Sequence, residues 1–317
     1  MRPARDDRLL RGRTDADFGM KGGSTAAGLR AVLIATAVAG GIGYLIQLAA
    51  PALLPSRSAY VSFSVFWSTL HLGIAALSGI QQEVSRATHR TDISPPAPGP
   101  LRRFAALAAV VVTIGATVFA LLLGDLIVPQ SALWMAVALP IGLGGYVLSA
   151  ALGGVLYGLR LWTAVAFTTI VDAVIRALFL LPGFSAQLSV PWLAVLVALP
   201  FGLAFALTWL VFRKQVVGRF RLDVDLRGLV SNSWITVVAA AASGLMISGL
   251  PMLLGATSSP ADVSVTGALI LTITLTRAPI VIPVIALQSF LIAAVFKDAS
   301  LSKPGLLRVL AVATACI

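Results

Sequence analysis

The chain carries little charge for its size. Only 11% of its 317 residues are Asp, Glu, Lys or Arg, while 58% are hydrophobic and the mean hydropathy is +0.97. Soluble domains carry about 25% charged residues. This composition excludes an ordinary soluble domain and predicts an integral membrane protein.

Cysteine and histidine are also scarce. The single cysteine, Cys316, excludes a disulfide framework and a multi-cysteine metal site, and two histidines are too few for a histidine-based metal centre. The sequence contains no Walker-type loop, no HExxH motif and no Ser/His/Asp set in a suitable context. We therefore expect no metal, no cofactor and no enzymatic activity, and any pumping must draw on gradients or partners.

Long apolar runs are what the sequence does have, and a run of about 20 residues can cross the hydrocarbon core of a bilayer. They predict an all-α integral membrane fold, a polytopic bundle of about eight to nine transmembrane helices. The predicted spans are 31–54, 60–82, 104–123, 131–157, 161–181, 191–212, 231–255 and 263–296, with a ninth starting near Leu306.

The basic residues show which way the spans run. Of the 23 lysines and arginines, 20 fall in the N-terminal tail and in alternate loops, and the opposite loops hold only Arg57. The positive-inside rule then places the N-terminus in the cytoplasm, with the chain in a bacterial cytoplasmic (inner) membrane. Because the net charge of +11 lies in these loops, it does not indicate a nucleic-acid partner.

The spans suggest two lobes. Residues 1–30 form a basic cytoplasmic tail that we expect to be disordered, 31–212 a six-helix lobe, 213–230 a cytoplasmic linker and 231–317 part of a second lobe. The linker sequence fits an interfacial amphipathic helix and an ordinary basic loop equally well.

An internal repeat favours duplication of the lobe. A shift of 202 residues aligns Ser56–Ser64 with Ser258–Thr266, and four of the paired residues are identical. Helices seven and eight would then repeat helices one and two, with six helices per lobe. The chain stops at Ile317, about 12 residues into the ninth helix, so we expect a truncated frame or a fragment.

Polar residues inside the predicted spans are the candidate site residues, because they usually face a protein interior or a cavity. His71 on the second helix and Gln47 on the first lie on polar stripes and could either line a cavity or join packed helices. On the fifth helix Asp172 and Arg176 are four residues apart, so a structural ion pair is expected. The alternative is that Asp172 orients Arg176 or titrates during transport.

Arg277 is a separate signal near the middle of the eighth helix. No acidic residue lies within helical reach of it, and Pro279 and Pro283 follow as hinge candidates that would bend the helix. A guanidinium beside such a bend suits an anionic phosphate. The other interpretation is an ion pair with Asp172 across the lobes.

Two segments carry a family resemblance. The stretch Ala49–Ala87 (AAPALLPSRSAYVSFSVFWSTLHLGIAALSGIQQEVSRA) resembles the first hairpin of polysaccharide flippases, and Leu271–Leu291 (LTITLTRAPIVIPVIALQSFL) resembles their eighth helix. These flippases belong to the multidrug/oligosaccharidyl-lipid/polysaccharide exporter (MATE-like) superfamily. The resemblance covers helices one to eight, and most of the second lobe is missing.

The resemblance implies a function. It implies two six-helix lobes around a cationic cavity and alternating-access translocation of a lipid-linked, usually diphosphate-linked, glycan, with Arg277 and Arg176 holding the phosphates. Membrane lipids and cell-envelope polysaccharide assembly proteins are the other expected partners. The alternatives are a cation-coupled multidrug exporter of the same superfamily, and a non-transporting membrane partner or inactive fragment. An integral-membrane glycosyltransferase is the third alternative, and the short polar loops argue against it.

Overall fold

The computed structural model describes residues 7–90, 99–128, 132–257 and 265–276 of the chain. This part contains seven helices that are long and apolar enough to cross a membrane, followed by a shorter apolar helix, which confirms an all-α polytopic membrane fold. The helices are α1 (Asp7–Leu53), α2 (Arg57–Ala87), α3 (Gly99–Ile127), α4 (Met135–Gly158), α5 (Trp162–Ser185), α6 (Val190–Val216), α7 (Leu226–Thr257) and α8 (Val265–Thr276). The chain also contains two short strands, β1 (Thr88–Arg90) between α2 and α3 and β2 (Phe220–Leu222) between α6 and α7.

Two local predictions differ from the structure. The backbone is helical from Asp7 onwards, where the sequence predicts a disordered tail over residues 1–30, and no proline falls between Pro3 and Pro51 to stop the helix. The linker 213–230 forms no separate amphipathic helix. Its first residues extend α6, its middle forms β2 and its last residues start α7, because β2 finds a partner strand in β1.

Helix α4 lies at the centre of the first six helices. Helix α4 packs against α2, α3 and α6, α5 packs against α6, and α1 packs along α5. Small residues allow the closest approaches: a Cβ on Gly145 of α4 would lie 2.9 Å from the Gly202 nitrogen of α6. Large apolar side chains on α3, such as Leu122, are exposed and would face lipid.

The helices begin and end at two opposite ends of the bundle. Strand β1, after α2, pairs with β2, after α6, and Thr88 at the end of α2 lies against Gly158 at the end of α4. We call this the basic end, because the arginine-rich loops 83–103 and 213–230 lie here; the other is the opposite end. The alternation of spans predicted from the sequence is therefore seen in the structure.

Helix α7 runs antiparallel to α2 along most of its length. Near the basic end a Cβ on Gly79 of α2 would lie 2.6 Å from the Thr236 carbonyl oxygen of α7, and the Thr236 hydroxyl donates to the Gly79 carbonyl at 2.9 Å. Farther along, a Cβ on Gly244 would lie 2.6 Å from the Cβ of Ala75. We call this contact between α2 and α7 the seam.

Gly79→Ala tests how closely the seam is packed. The added methyl group would meet backbone atoms of α7, which cannot rotate away, so we expect a loss of about 1–3 kcal/mol of stability, measured by thermal unfolding in detergent. Gly43→Ala on α1 is the matched control, because no atom lies within 4 Å of its Cβ position. Alanine favours helix over glycine, so the control should be neutral or stabilising. Equal melting temperatures for the two variants would contradict the seam.

Candidate functional site

A buried cluster of charged and aromatic side chains lies between α2, α5 and α6. Its centre is Arg176 on α5, whose side chain is only 7% exposed, against 26% for Asp172 one turn earlier. One guanidinium nitrogen of Arg176 donates to both carboxylate oxygens of Asp172, at 2.6 and 2.9 Å. The carboxylate thus compensates a charge that would be costly to bury alone.

His71 on α2 completes the polar partners of Arg176. The other terminal guanidinium nitrogen lies 3.1 Å from His71 Nε2, and His71 Nδ1 lies 2.8 Å from the Trp67 carbonyl oxygen. A guanidinium can only donate, so His71 Nε2 accepts and the proton sits on Nδ1, which donates to Trp67. This arrangement requires a neutral imidazole and ties α2 to α5.

Aromatic rings enclose the same guanidinium. Its central carbon lies 4.3 Å from the ring centroid of Phe201 on α6 and 5.7 Å from that of Trp67, within the range of cation–π attraction. The Trp67 and His71 rings stack at 4.5 Å, and Tyr146 on α4 meets Phe201 edge-on at 5.7 Å. Side chains from α2, α5 and α6 therefore meet at one cation, and Tyr146 of α4 packs against Phe201.

The structure brings together three of the predicted site residues, Asp172, Arg176 and His71. Gln47 lies half-buried on α1 and makes no hydrogen bond to this cluster within the described ranges. Arg277 and the hinge candidates Pro279 and Pro283 lie outside the described residues, so the predicted ion pair between Arg277 and Asp172 is not addressed. The pairing of Asp172 with Arg176 is seen as expected from their spacing.

Sequence reasoning missed the aromatic partners. Trp67 stands four residues before His71, a helical spacing that could have placed both on one face. Phe201 follows Pro200 in a uniformly apolar stretch of α6, and nothing in that stretch singles it out. The predicted polar stripe on α2 also divides: His71 contacts Arg176 within the lobe, whereas the Ser68 hydroxyl donates to the Ser248 carbonyl of α7.

Three other buried hydroxyl groups lie on α2 and α7. Tyr60 and Ser64 of α2 and Ser233 of α7 are at most 5% exposed, and their hydroxyl groups have no hydrogen-bond partner in the described part of the chain. Buried hydroxyl groups normally find a partner in protein or water.

The fold is that of a multi-pass helical membrane protein. The chain resembles the solved outward-facing conformation of a multidrug resistance MATE family transporter of the MOP superfamily, with a TM-score of 0.54 and 14% identity. The match covers 91% of this chain and 68% of that one. The likeness establishes the fold.

Sequence relatives lie in mycobacteria. Uncharacterised proteins of Mycobacterium bovis and Mycobacterium tuberculosis are 35% identical over 305 residues, and a second Mycobacterium tuberculosis protein is 32% identical over 288. The first match covers 87% of this chain, which spans 64% of the length of the relative. No protein-family model matches the chain.

The charge balance around Arg176 can be tested by removing first the carboxylate charge and then both charges. Asp172→Asn leaves the buried guanidinium without a counterion, which should cost about 3–5 kcal/mol and lower both the yield and the melting temperature in detergent. The double variant Asp172→Asn/Arg176→Gln removes both charges and keeps a donor for His71, so it should regain most of the loss.

Thr208→Val is a matched control for the change at Asp172. It removes a neutral hydrogen bond of 3.0 Å between Thr208 and Thr168 at the neighbouring contact of α5 and α6. Its effect should be about 1 kcal/mol. A double variant no more stable than Asp172→Asn would show that Arg176 does not need the carboxylate.

Proposed function

We propose that this chain belongs to a two-lobe membrane transporter that moves a lipid-linked polysaccharide precursor between membrane leaflets by alternating access. The observation that carries the proposal is the arrangement of α7 along α2 in a chain with the fold of a MATE transporter. Alternating access needs two lobes that meet at a seam and can part there. In this proposal the basic end faces the cytoplasm and the protein lies in the bacterial inner membrane, consistent with the positive-inside rule.

The cargo class follows from the deep charges. The spans contain two arginines, Arg176 and Arg277, and one deep acid, Asp172. Asp172 already balances Arg176, so Arg277 supplies the excess positive charge in the proposed cavity. A diphosphate is the anionic group that suits guanidinium ligands, and the flippase-like segments Ala49–Ala87 and Leu271–Leu291 agree with this cargo.

In the proposed cycle the glycan-lipid diphosphate is admitted from the cytoplasmic leaflet. Arg277 binds the phosphates first. Asp172 is more exposed than Arg176, so a phosphate can reach the same guanidinium by displacing the carboxylate. The cargo leaves on the other side when the lobes rock, with Pro279 and Pro283 as the hinge residues expected from the sequence of the predicted span 263–296. His71 keeps Arg176 oriented throughout.

A cation-coupled multidrug exporter is the second candidate. The solved transporter that this fold resembles is described as a multidrug resistance protein, and Asp172 is a carboxylate in a position to attract a cation. A third possibility is a non-transporting membrane partner of cell-envelope assembly proteins or an inactive fragment, since the chain spans 64% of the length of its relatives.

Arg277→Ala tests the cargo. Loss of one charge-assisted contact in a desolvated site costs about 1.5–3 kcal/mol, so binding should weaken roughly tenfold to a hundredfold. The assay follows a fluorescent lipid-diphosphate disaccharide in proteoliposomes, where a membrane-impermeant quencher reports movement between leaflets. The variant should insert normally but lose the movement.

The control is Arg57→Ala, because Arg57 starts α2 at the opposite end and is exposed. It should move the fluorescent lipid at the wild-type rate. Movement unaffected by Arg277→Ala would remove Arg277 from the cargo site. Efflux of a cationic dye by the wild type, without lipid movement, would establish the multidrug candidate instead.

A further inference from the structure

The basic end of the seam holds a buried acid that the cargo site does not use. Glu83, near the end of α2, has a side chain that is only 3% exposed. Its two carboxylate oxygens accept from Arg86 Nε and Nη2 at 2.8 and 2.7 Å, a bidentate pair within α2. The oxygen bound to Nη2 also accepts from the Asn232 amide of α7 at 2.9 Å. A charge-assisted hydrogen bond therefore crosses from one lobe to the other.

The linker between the lobes is attached to the same end of α2. Strands β1 and β2 pair antiparallel, with His89 opposite Arg221. Directly after β2, the Asp223 backbone N–H donates to the Ala87 carbonyl at 3.0 Å, and the Asp223 carboxylate lies 3.7 Å from Arg86 Nη1 and 3.4 Å from His89 Nε2. The ribbon and Asp223 thus hold the chain three residues before α7 begins at Leu226.

This attachment determines how α7 can move. Between Asp223 and the start of α7 at Leu226 lie only Val224 and Asp225, and the Asp225 carboxylate caps the helix by accepting from the Gly228 N–H at 2.8 Å. At 1.5 Å rise per residue, Asn232 lies roughly 10 Å from this pivot and Thr257 roughly 45 Å. A swing about the pivot therefore moves the far end of α7 several times farther than Asn232.

We propose that Glu83, Asn232 and the β1–β2 ribbon form a latch that keeps the basic end of the seam closed. While the latch holds, α7 can swing away from α2 only at the opposite end. Opening at the basic end requires the Asn232 amide to leave Glu83 and the linker to separate from β1. Arg86 keeps the carboxylate charged and oriented in both states, because the Glu83–Arg86 pair lies within α2.

The test measures how accessible the seam is in the full chain, purified in nanodiscs so that both ends meet solvent. Cys316→Ser removes the native thiol, and Ser233→Cys adds a reporter one residue from Asn232. Ser233 is 5% exposed on the buried face of α7, and its hydroxyl group makes no hydrogen bond within the described residues, so the exchange should disturb little. A charged, membrane-impermeant maleimide should label it slowly.

Asn232→Ala removes the bond between the lobes and leaves the Glu83–Arg86 pair intact. We expect it to raise the labelling rate of the Ser233→Cys thiol roughly tenfold, the factor associated with loss of a hydrogen bond to a charged group. Adding Asp223→Ala should raise the rate further. Glu83→Gln, which can still accept from Asn232, should have a smaller effect than Asn232→Ala.

Two controls separate opening from general loosening. Thr208→Cys places a thiol at a fully buried position within the first lobe, at a similar distance from the basic end, and its labelling should not change in the Asn232→Ala background. Ser149→Ala removes a hydrogen bond of 2.9 Å between α4 and α6 and should leave the Ser233→Cys rate unchanged.

Two results would overturn the latch. One is an unchanged Ser233→Cys rate after Asn232→Ala and Asp223→Ala together, and the other is an equal rise at Thr208→Cys. Neither depends on which molecule is carried, although the cycle in which the latch would act is the one proposed above. Loss of lipid movement in the transport assay with an intact latch response would reject the cargo and retain the latch.

Discussion

The cost of keeping charge among apolar helices constrains how α2, α5 and α6 pack together. Arg176 is 7% exposed, and a guanidinium at that depth persists only where it is neutralised and fully hydrogen-bonded. Helix α5 supplies Asp172, α2 supplies His71 and the Trp67 ring, and α6 supplies Phe201. The cluster fixes how these three helices sit against one another, at a point where apolar packing alone would tolerate sliding.

Helix α2 connects this cluster to the boundary between the lobes. His71 contacts Arg176, and one turn away Ser68 donates to the α7 backbone. Toward the basic end of the same helix, Gly79 allows backbone contact with α7 and Glu83 binds Asn232. A change at the cation can therefore reach the seam through a single rigid helix. In the transport cycle proposed above, this helix would let the seam respond to an occupied site.

The polar groups differ in role between the two ends of α2. In the lobe interior, the charge on Arg176 is balanced within α5 and shared with one neutral histidine. At the basic end, the charge on Glu83 is balanced within α2 by Arg86, and a single amide extends from it to the other lobe. An ion pair within one helix moves with that helix, whereas the amide contact can be broken without leaving a buried charge unpaired. This separation makes the Glu83–Asn232 contact suitable as a reversible one.

The sequence by itself determined the first seven spans, their alternation and the Asp172–Arg176 pair. A span is encoded in a local run of about 20 apolar residues, and an i,i+4 pair is encoded in one helix turn. The short ribbon was not predicted, because a three-residue strand has no sequence signal without its partner strand. The early start of α1 at Asp7 was not predicted either. Only the tertiary structure decided that His71 meets Arg176, 105 residues away, and that Glu83 meets Asn232, 149 residues away. Helices that are apolar on most faces carry little information about their neighbours in a bilayer, where lipid and protein surfaces are equally apolar, so close packing and a few polar contacts make that choice.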